Sequence, residues 1–176
     1  MQLLYRPEIN SGRIERFGFE YLGFVNHRLK PGESVAGETG GDEMGIVLFG
    51  GKCSVTSSEG EWNSIGGRKN VFDGLPWAVY LPIGSTYKVT AETDCDFALC
   101  FAKAERRFPA KLVTPAHPDI EIRGGGNATR QINGIFKPNF EADRLLVVEV
   151  YTPAGSWSSY PPHKHDVHNP PDEVDL

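Results

Sequence analysis

The sequence predicts an all-β chain whose short strands close into a sandwich or barrel. Three observations carry this reading. The apolar segments are short and bounded by Gly, Pro, Asp or Ser. No window of eleven residues repeats its apolar positions with the helical period of 3.6. Twenty glycines and thirteen prolines in 176 residues mark frequent turns, as a domain of many closely spaced strands requires.

Gly45–Ser57 (GIVLFGGKCSVTS) reads as two β-rich runs joined at Gly50-Gly51. Trp77–Leu81, Tyr87–Ala91 and Phe97–Ala104 are short apolar or alternating runs. Pro-rich Arg106–Asp119 (RRFPAKLVTPAHPD) shows little alternation and reads as a connector, so a boundary is placed there. Gly124–Gly126 with Asn127 lacks the GxGxxG spacing of a nucleotide loop and is expected to be a tight turn where backbones approach closely. Leu145–Thr152 (LLVVEVYT) is the longest apolar run; eight residues of β-branched character favour a buried strand.

Composition narrows the function. The chain is long enough for a sizeable core, and 39% hydrophobic with 23% charged residues is ordinary for a soluble globular protein. A net charge of −5 without a basic cluster argues against nucleic acid. The segment MQLLYRPEIN is not a secretory signal, and no window approaches a membrane span. Cys53, Cys95 and Cys100 are odd in number and lack CxxC spacing, so they are expected to be reduced thiols of a cytoplasmic protein, packed as small hydrophobes.

The strongest chemical signal is His163-Lys164-His165. Side chains at i and i+2 of an extended segment share a face, so two imidazoles stand side by side as half of a divalent-metal site. The first half of the chain holds a related arrangement without histidines: Pro31-Gly32, Glu38-Thr39-Gly40, Glu43 and Gly50, followed by Pro82-Ile83-Gly84 and Tyr87. This pattern is similar to that of the cupin family of metal-binding β-barrels, with both motif histidines lost and Tyr87 where a later ligand would stand. Pro153-Ala154-Gly155 and His163-Lys164-His165 look like a second copy that keeps its histidines.

Longer stretches make the resemblance specific. Ile120–Ile135 (IEIRGGGNATRQINGI), Asp143–Asp166 (DRLLVVEVYTPAGSWSSYPPHKHD), Gly66-Gly67-Arg68 and Val71–Pro76 resemble the 5-deoxy-glucuronate isomerases of myo-inositol catabolism, which share a bicupin family with 4-deoxy-5-hexosulose-uronate isomerases. The resemblance covers roughly the N-terminal two-thirds of such proteins. It implies an all-β bicupin of double-stranded β-helix barrels, the first complete and the second partial, cut short at the C-terminus. Residues 1–110 would form a first barrel without metal-ligand histidines; residues 111–176 would hold the connector and the N-terminal part of the second.

The resemblance further implies aldose–ketose isomerisation of a small sugar acid, 5-deoxy-D-glucuronate to 2-deoxy-5-keto-D-gluconate, with a divalent metal, zinc or else manganese. His163 and His165 would be ligands, and Glu173, across the Pro170-Pro171 loop, is the candidate acidic ligand. Such an ion serves as Lewis acid and template for an enediolate. Glu149, a carboxylate inside an apolar strand, is the candidate general base; it reads equally as a strand residue paired with an arginine. Arg123 and Arg130, flanking the glycine turn, are candidates for the substrate carboxylate. His168 reads as a loop residue, and Trp62, Trp77 and Trp157 as packing groups. Homo-oligomerisation stays open. So do two further readings: a non-catalytic sugar-binding or regulatory cupin, and an inactive fragment without the remaining ligands.

Overall fold

The computed structural model describes residues 21–116, 119–164, 167 and 169, and it is almost wholly β. The strands are β1 (Leu22–Leu29), β2 (Ser34–Glu38), β3 (Asp42–Gly50), β4 (Lys52–Ser57), β5 (Gly60–Gly66), β6 (Trp77–Leu81), β7 (Thr86–Ala91), β8 (Cys95–Lys103), β9 (Lys111–Val113), β10 (Asp119–Arg123), β11 (Arg130–Phe136) and β12 (Val147–Tyr151). One 3₁₀ turn, Gly126–Ala128, joins β10 to β11. Among the described residues, no helix is long and apolar enough to cross a membrane.

Two antiparallel sheets build the first unit. A five-stranded sheet runs β1-β8-β3-β6-β9, and a four-stranded sheet runs β2-β7-β4-β5. Their facing sides enclose Met44, Ile46, Leu48, Val55, Val79, Leu81, Val89, Phe97 and Leu99, all at most 1% exposed. Burial of each such side chain contributes about 1.5–3 kcal/mol. The expected break at Gly50-Gly51 is real: Gly51 has φ +85°, a conformation that Cβ-bearing residues rarely adopt. Strands β1, β2 and β5 escaped the sequence reading because their exposed positions dilute the alternation.

The third sheet, β10-β11-β12, holds the expected Leu145–Thr152 strand as its last member. It packs behind the five-stranded sheet. Val47, Ala78, Tyr80 and Ala102 of the barrel's outer surface join Ile135, Phe136 and Leu145 in a second buried cluster. The five-stranded sheet is therefore covered on both faces, which is why β3 and β6 are continuously apolar rather than alternating. Gly45 is required here, since a Cβ at this position would press into the Phe136 ring. The connector differs from its expected form: β9 lies just past the boundary at residue 110, yet it pairs with β6 and completes the edge of the first sheet.

Candidate functional site

The degenerate motif of the first half resolves into two locations. Glu38 and Tyr87 line the mouth of the first barrel, in a cavity of about 580 Å³ with Val25, His27, Val35 and Phe101 among its walls. Glu43 points the other way. Strand alternation places Met44, Ile46 and Leu48 in the barrel core and Glu43 on the outer face. There its carboxylate is fully buried. It accepts from the Tyr80 hydroxyl (2.7 Å), from the backbone N–H groups of Asp143 (2.8 Å) and Arg144 (2.6 Å), and from that of Leu145. Burial, followed by the Glu43 carboxylate, pushes the Tyr80 hydroxyl pKa up, so Tyr80 remains a donor. Glu43 thus fastens the segment entering β12 onto the barrel.

The expected site residues occupy two surroundings. Glu149 projects from β12 toward the first barrel and is gripped at both oxygens by Arg68, Nη2 to Oε1 at 2.7 Å and Nη1 to Oε2 at 3.0 Å. Of the two roles left open for Glu149, the ion pair with an arginine is the one visible. The two side chains are 4% and 14% exposed, so the pair is largely withdrawn from water. Arg68 also donates to the Leu48 and Gly74 carbonyls (2.8 and 3.1 Å), while the Tyr151 hydroxyl lies 2.9 Å from Glu149 Oε2 and 2.7 Å from the Val71 carbonyl. The sequence reading assigned Arg68 no role, although Gly66-Gly67-Arg68 and Val71–Pro76 were among the distinctive stretches; they supply this cluster.

Arg123 and Arg130 are directly opposed across the β10–β11 hairpin. Arg123 forms a two-point contact with Glu121 (2.8 and 2.9 Å), and Arg130 donates to the Ala128 carbonyl at 3.1 Å. The turn is tight as expected: Gly124 has φ +88°, and a Cβ there would collide with the Ala128 carbonyl. The Trp157 backbone N–H donates to the Asn127 backbone carbonyl at 2.7 Å. This bond ties the arginine hairpin to the loop that leads to the histidine pair. Farther along, the His163 backbone N–H donates to Ser159 Oγ at 2.8 Å, and the His163 side chain is exposed. His165, Glu173 and His168 lie outside the described residues. Among the described residues, no three His, Cys, Asp or Glu side chains converge as they would around a metal ion. Of the expected metal ligands, the described residues include His163 alone.

The model of the KduI/IolB family matches residues 8–176. The chain belongs to the KduI/IolB family. It is 44% identical over 160 residues to the 5-deoxy-glucuronate isomerase of Geobacillus thermodenitrificans NG80-2, covering 90% of this chain and 58% of that protein. It is 39% identical over 155 residues to the 5-deoxy-glucuronate isomerase of Bacillus subtilis 168, covering 87% and 57%. The chain thus spans a little under three-fifths of the length of these relatives. The crystal structure of an IolB-like protein from Salmonella typhimurium LT2 superimposes with a TM-score of 0.82 at 38% identity, covering 97% of this chain and 62% of that one. A putative glyoxylate-induced protein from Pseudomonas aeruginosa shares the fold alone, at 14% identity and a TM-score of 0.54, covering 72% and 48%. Membership of the KduI/IolB family agrees with the all-β, cupin-like architecture expected from the sequence: two antiparallel sheets packed face to face and a third, three-stranded sheet behind them.

Proposed function

We propose that this chain serves the aldose–ketose isomerisation of 5-deoxy-D-glucuronate to 2-deoxy-5-keto-D-gluconate in inositol catabolism, in the cytoplasm. The observation that carries the reading is 44% identity over 160 residues to a protein named 5-deoxy-glucuronate isomerase. The reaction moves a proton from C2 to C1 through an enediolate, so it needs a held substrate carboxylate, a base and stabilisation of adjacent anionic oxygens. Arg123 and Arg130 carry the cationic forks suited to the carboxylate. Their hairpin is bonded to the loop before His163 through Trp157 and Asn127, which supports a shared site at that end of the third sheet. His163 and His165, with Glu173, are proposed to bind a divalent cation, zinc before manganese, whose contribution would be Lewis-acid stabilisation of the enediolate.

The exposure of His163 and the engagement of both Glu149 oxygens by Arg68 favour a second reading, a sugar-binding cupin without catalysis. Two measurements separate them. Proton NMR of 5-deoxy-D-glucuronate with the purified chain would show conversion to the ketose for the enzyme and line broadening without conversion for the binder. Elemental analysis would find stoichiometric zinc or manganese, lost in His163→Ala, for the metal enzyme. A metal-free, folded and inert chain would sink the first reading.

A further inference from the structure

Strands β1 and β2 follow one another in the chain yet are edge strands of different sheets, β1 of the five-stranded and β2 of the four-stranded. Residues of both strands border the cavity of about 580 Å³ in the first barrel, whose size is within the range of about 300–1,000 Å³ usual for small-molecule sites. Strand alternation identifies the side chains turned into it. On β3, Met44, Ile46 and Leu48 face the core, so Asp42 shares their face. On β1, Val25 packs against the core and His27 shares its face; on β8, Phe101 shares the face of buried Leu99; on β7, Tyr87 shares that of buried Val89. Asp42, His27, Tyr87 and Phe101 all border the cavity.

These groups are held in place. Thr39, 4% exposed, donates its hydroxyl to the Pro82 carbonyl and accepts from the Ser85 backbone N–H, both at 2.9 Å. The Asp42 backbone N–H donates to the Thr39 carbonyl at 3.1 Å, so the turn that carries Asp42 is clamped to the turn between β6 and β7. The Tyr87 ring lies across Gly37: a Cβ there would sit 2.8 Å from the Tyr87 hydroxyl and 3.0 Å from the ring carbon that bears it. The His27 ring rests against Phe97, with centroids 5.3 Å apart. The cavity therefore presents a carboxylate, an imidazole and two aromatic rings between aliphatic walls. Among the described residues that line it none is Lys or Arg, and Glu38 adds a second carboxylate at the rim. An anion has no cation to meet there. A hydroxylated carbon ring does fit: its hydroxyls donate to Asp42 and hydrogen-bond His27, and its C–H faces lie on the aromatic and aliphatic walls.

We propose that the cavity bordered by β1 and β2 is a binding site for an uncharged, hydroxylated six-membered ring, a cyclitol or a hexopyranoside. It is distinct from the end of the third sheet, where the isomerase reading puts the sugar acid, and does not rest on that reading. The two carboxylates make it selective. A sugar acid would bring its own negative charge against Asp42 and Glu38 with nothing among the described wall residues to offset it, so the site rejects the acid and accepts the neutral ring.

The test follows the histidine ring protons of the full chain by NMR, with the His27 signal identified by its loss in His27→Gln. The chain is titrated with myo-inositol, with methyl α-D-glucopyranoside and with glucuronate. At least one neutral ring is expected to move the His27 signal saturably, with a Kd on the order of 1 mM, while glucuronate leaves it in place. Asp42→Asn keeps the shape of the side chain and removes its charge; binding of the neutral ring should weaken about tenfold. Melting temperatures show whether the variant is folded, and Tyr87→Leu, which removes an aromatic wall, takes its place if it is not, with about the same loss expected. A His27 signal that neither neutral ring moves, an equal response to glucuronate, or an unchanged Kd in the folded variant would overturn the proposal. Because the reporter sits in the first barrel, the result reads the same whether or not the chain isomerises a sugar acid.

Discussion

Arg68 and Glu149 lie 81 residues apart in the chain and meet as a two-point ion pair, with nitrogen–oxygen distances of 2.7 and 3.0 Å. The pair joins the first barrel to the last strand of the third sheet. Breaking a largely buried pair strands one charge, a cost of about 3–5 kcal/mol. Arg68→Met and Glu149→Gln are each expected to destabilise the chain by about 3 kcal/mol, with the double variant much closer to the single variants than to their sum. Urea unfolding of all four proteins measures the coupling; additive losses would show that the pair contributes nothing beyond its separate parts.

Glu43 collects one hydroxyl and three backbone donors in a fully buried position. Glu43→Gln puts an amide donor against backbone donors, so a loss of about 2–4 kcal/mol is expected. Tyr80→Phe removes one of the four donors and should cost about 1 kcal/mol. Denaturant midpoints check both values. Equal midpoints for Glu43→Gln and the unaltered chain would contradict the fastening role.

Gly45 leaves room for Phe136. Gly45→Ala is expected to cost about 1–3 kcal/mol by overpacking the contact between barrel and third sheet. Combining it with Phe136→Leu should cost less than the sum of the two, because the shorter side chain vacates the space. Thermal melting of the three variants is the measurement.

Asp143 is held well below the usual carboxylate range, to about 2, first by the backbone N–H of Glu105 and then by Arg106. A carboxyl whose folded pKa is depressed stabilises the fold above its ordinary pKa and loses that contribution as pH falls toward the folded value. Stability should therefore decline between about pH 4 and pH 2. Asp143→Asn should be less stable at neutral pH and show a shallower decline over that window, read from melting temperatures across the range.

The local pattern of residues was enough to specify most of the barrel. Turn residues and short β-branched runs located β3, β4, β6, β7, β8 and β12, and Gly124–Gly126 announced its tight turn. The stretches that mark the family were legible because family motifs are contiguous in the chain. Arg68 was not. An arginine that follows a glycine pair carries no local sign of the carboxylate it will meet 81 positions later.

Glu43 and Glu149 mark the division most clearly. The sequence by itself determined that Glu43 sits within a degenerate motif and that Glu149 interrupts an apolar strand. Only the tertiary structure decided which way each one faces and what it meets. Strand periodicity fixes alternation between two faces, but the packing of a second sheet on the barrel's back decides which face becomes interior. That choice turned Glu43 from a residue at a ligand-like position into an anchor for the strand approaching the third sheet, and joined Glu149 to a guanidinium from the first barrel.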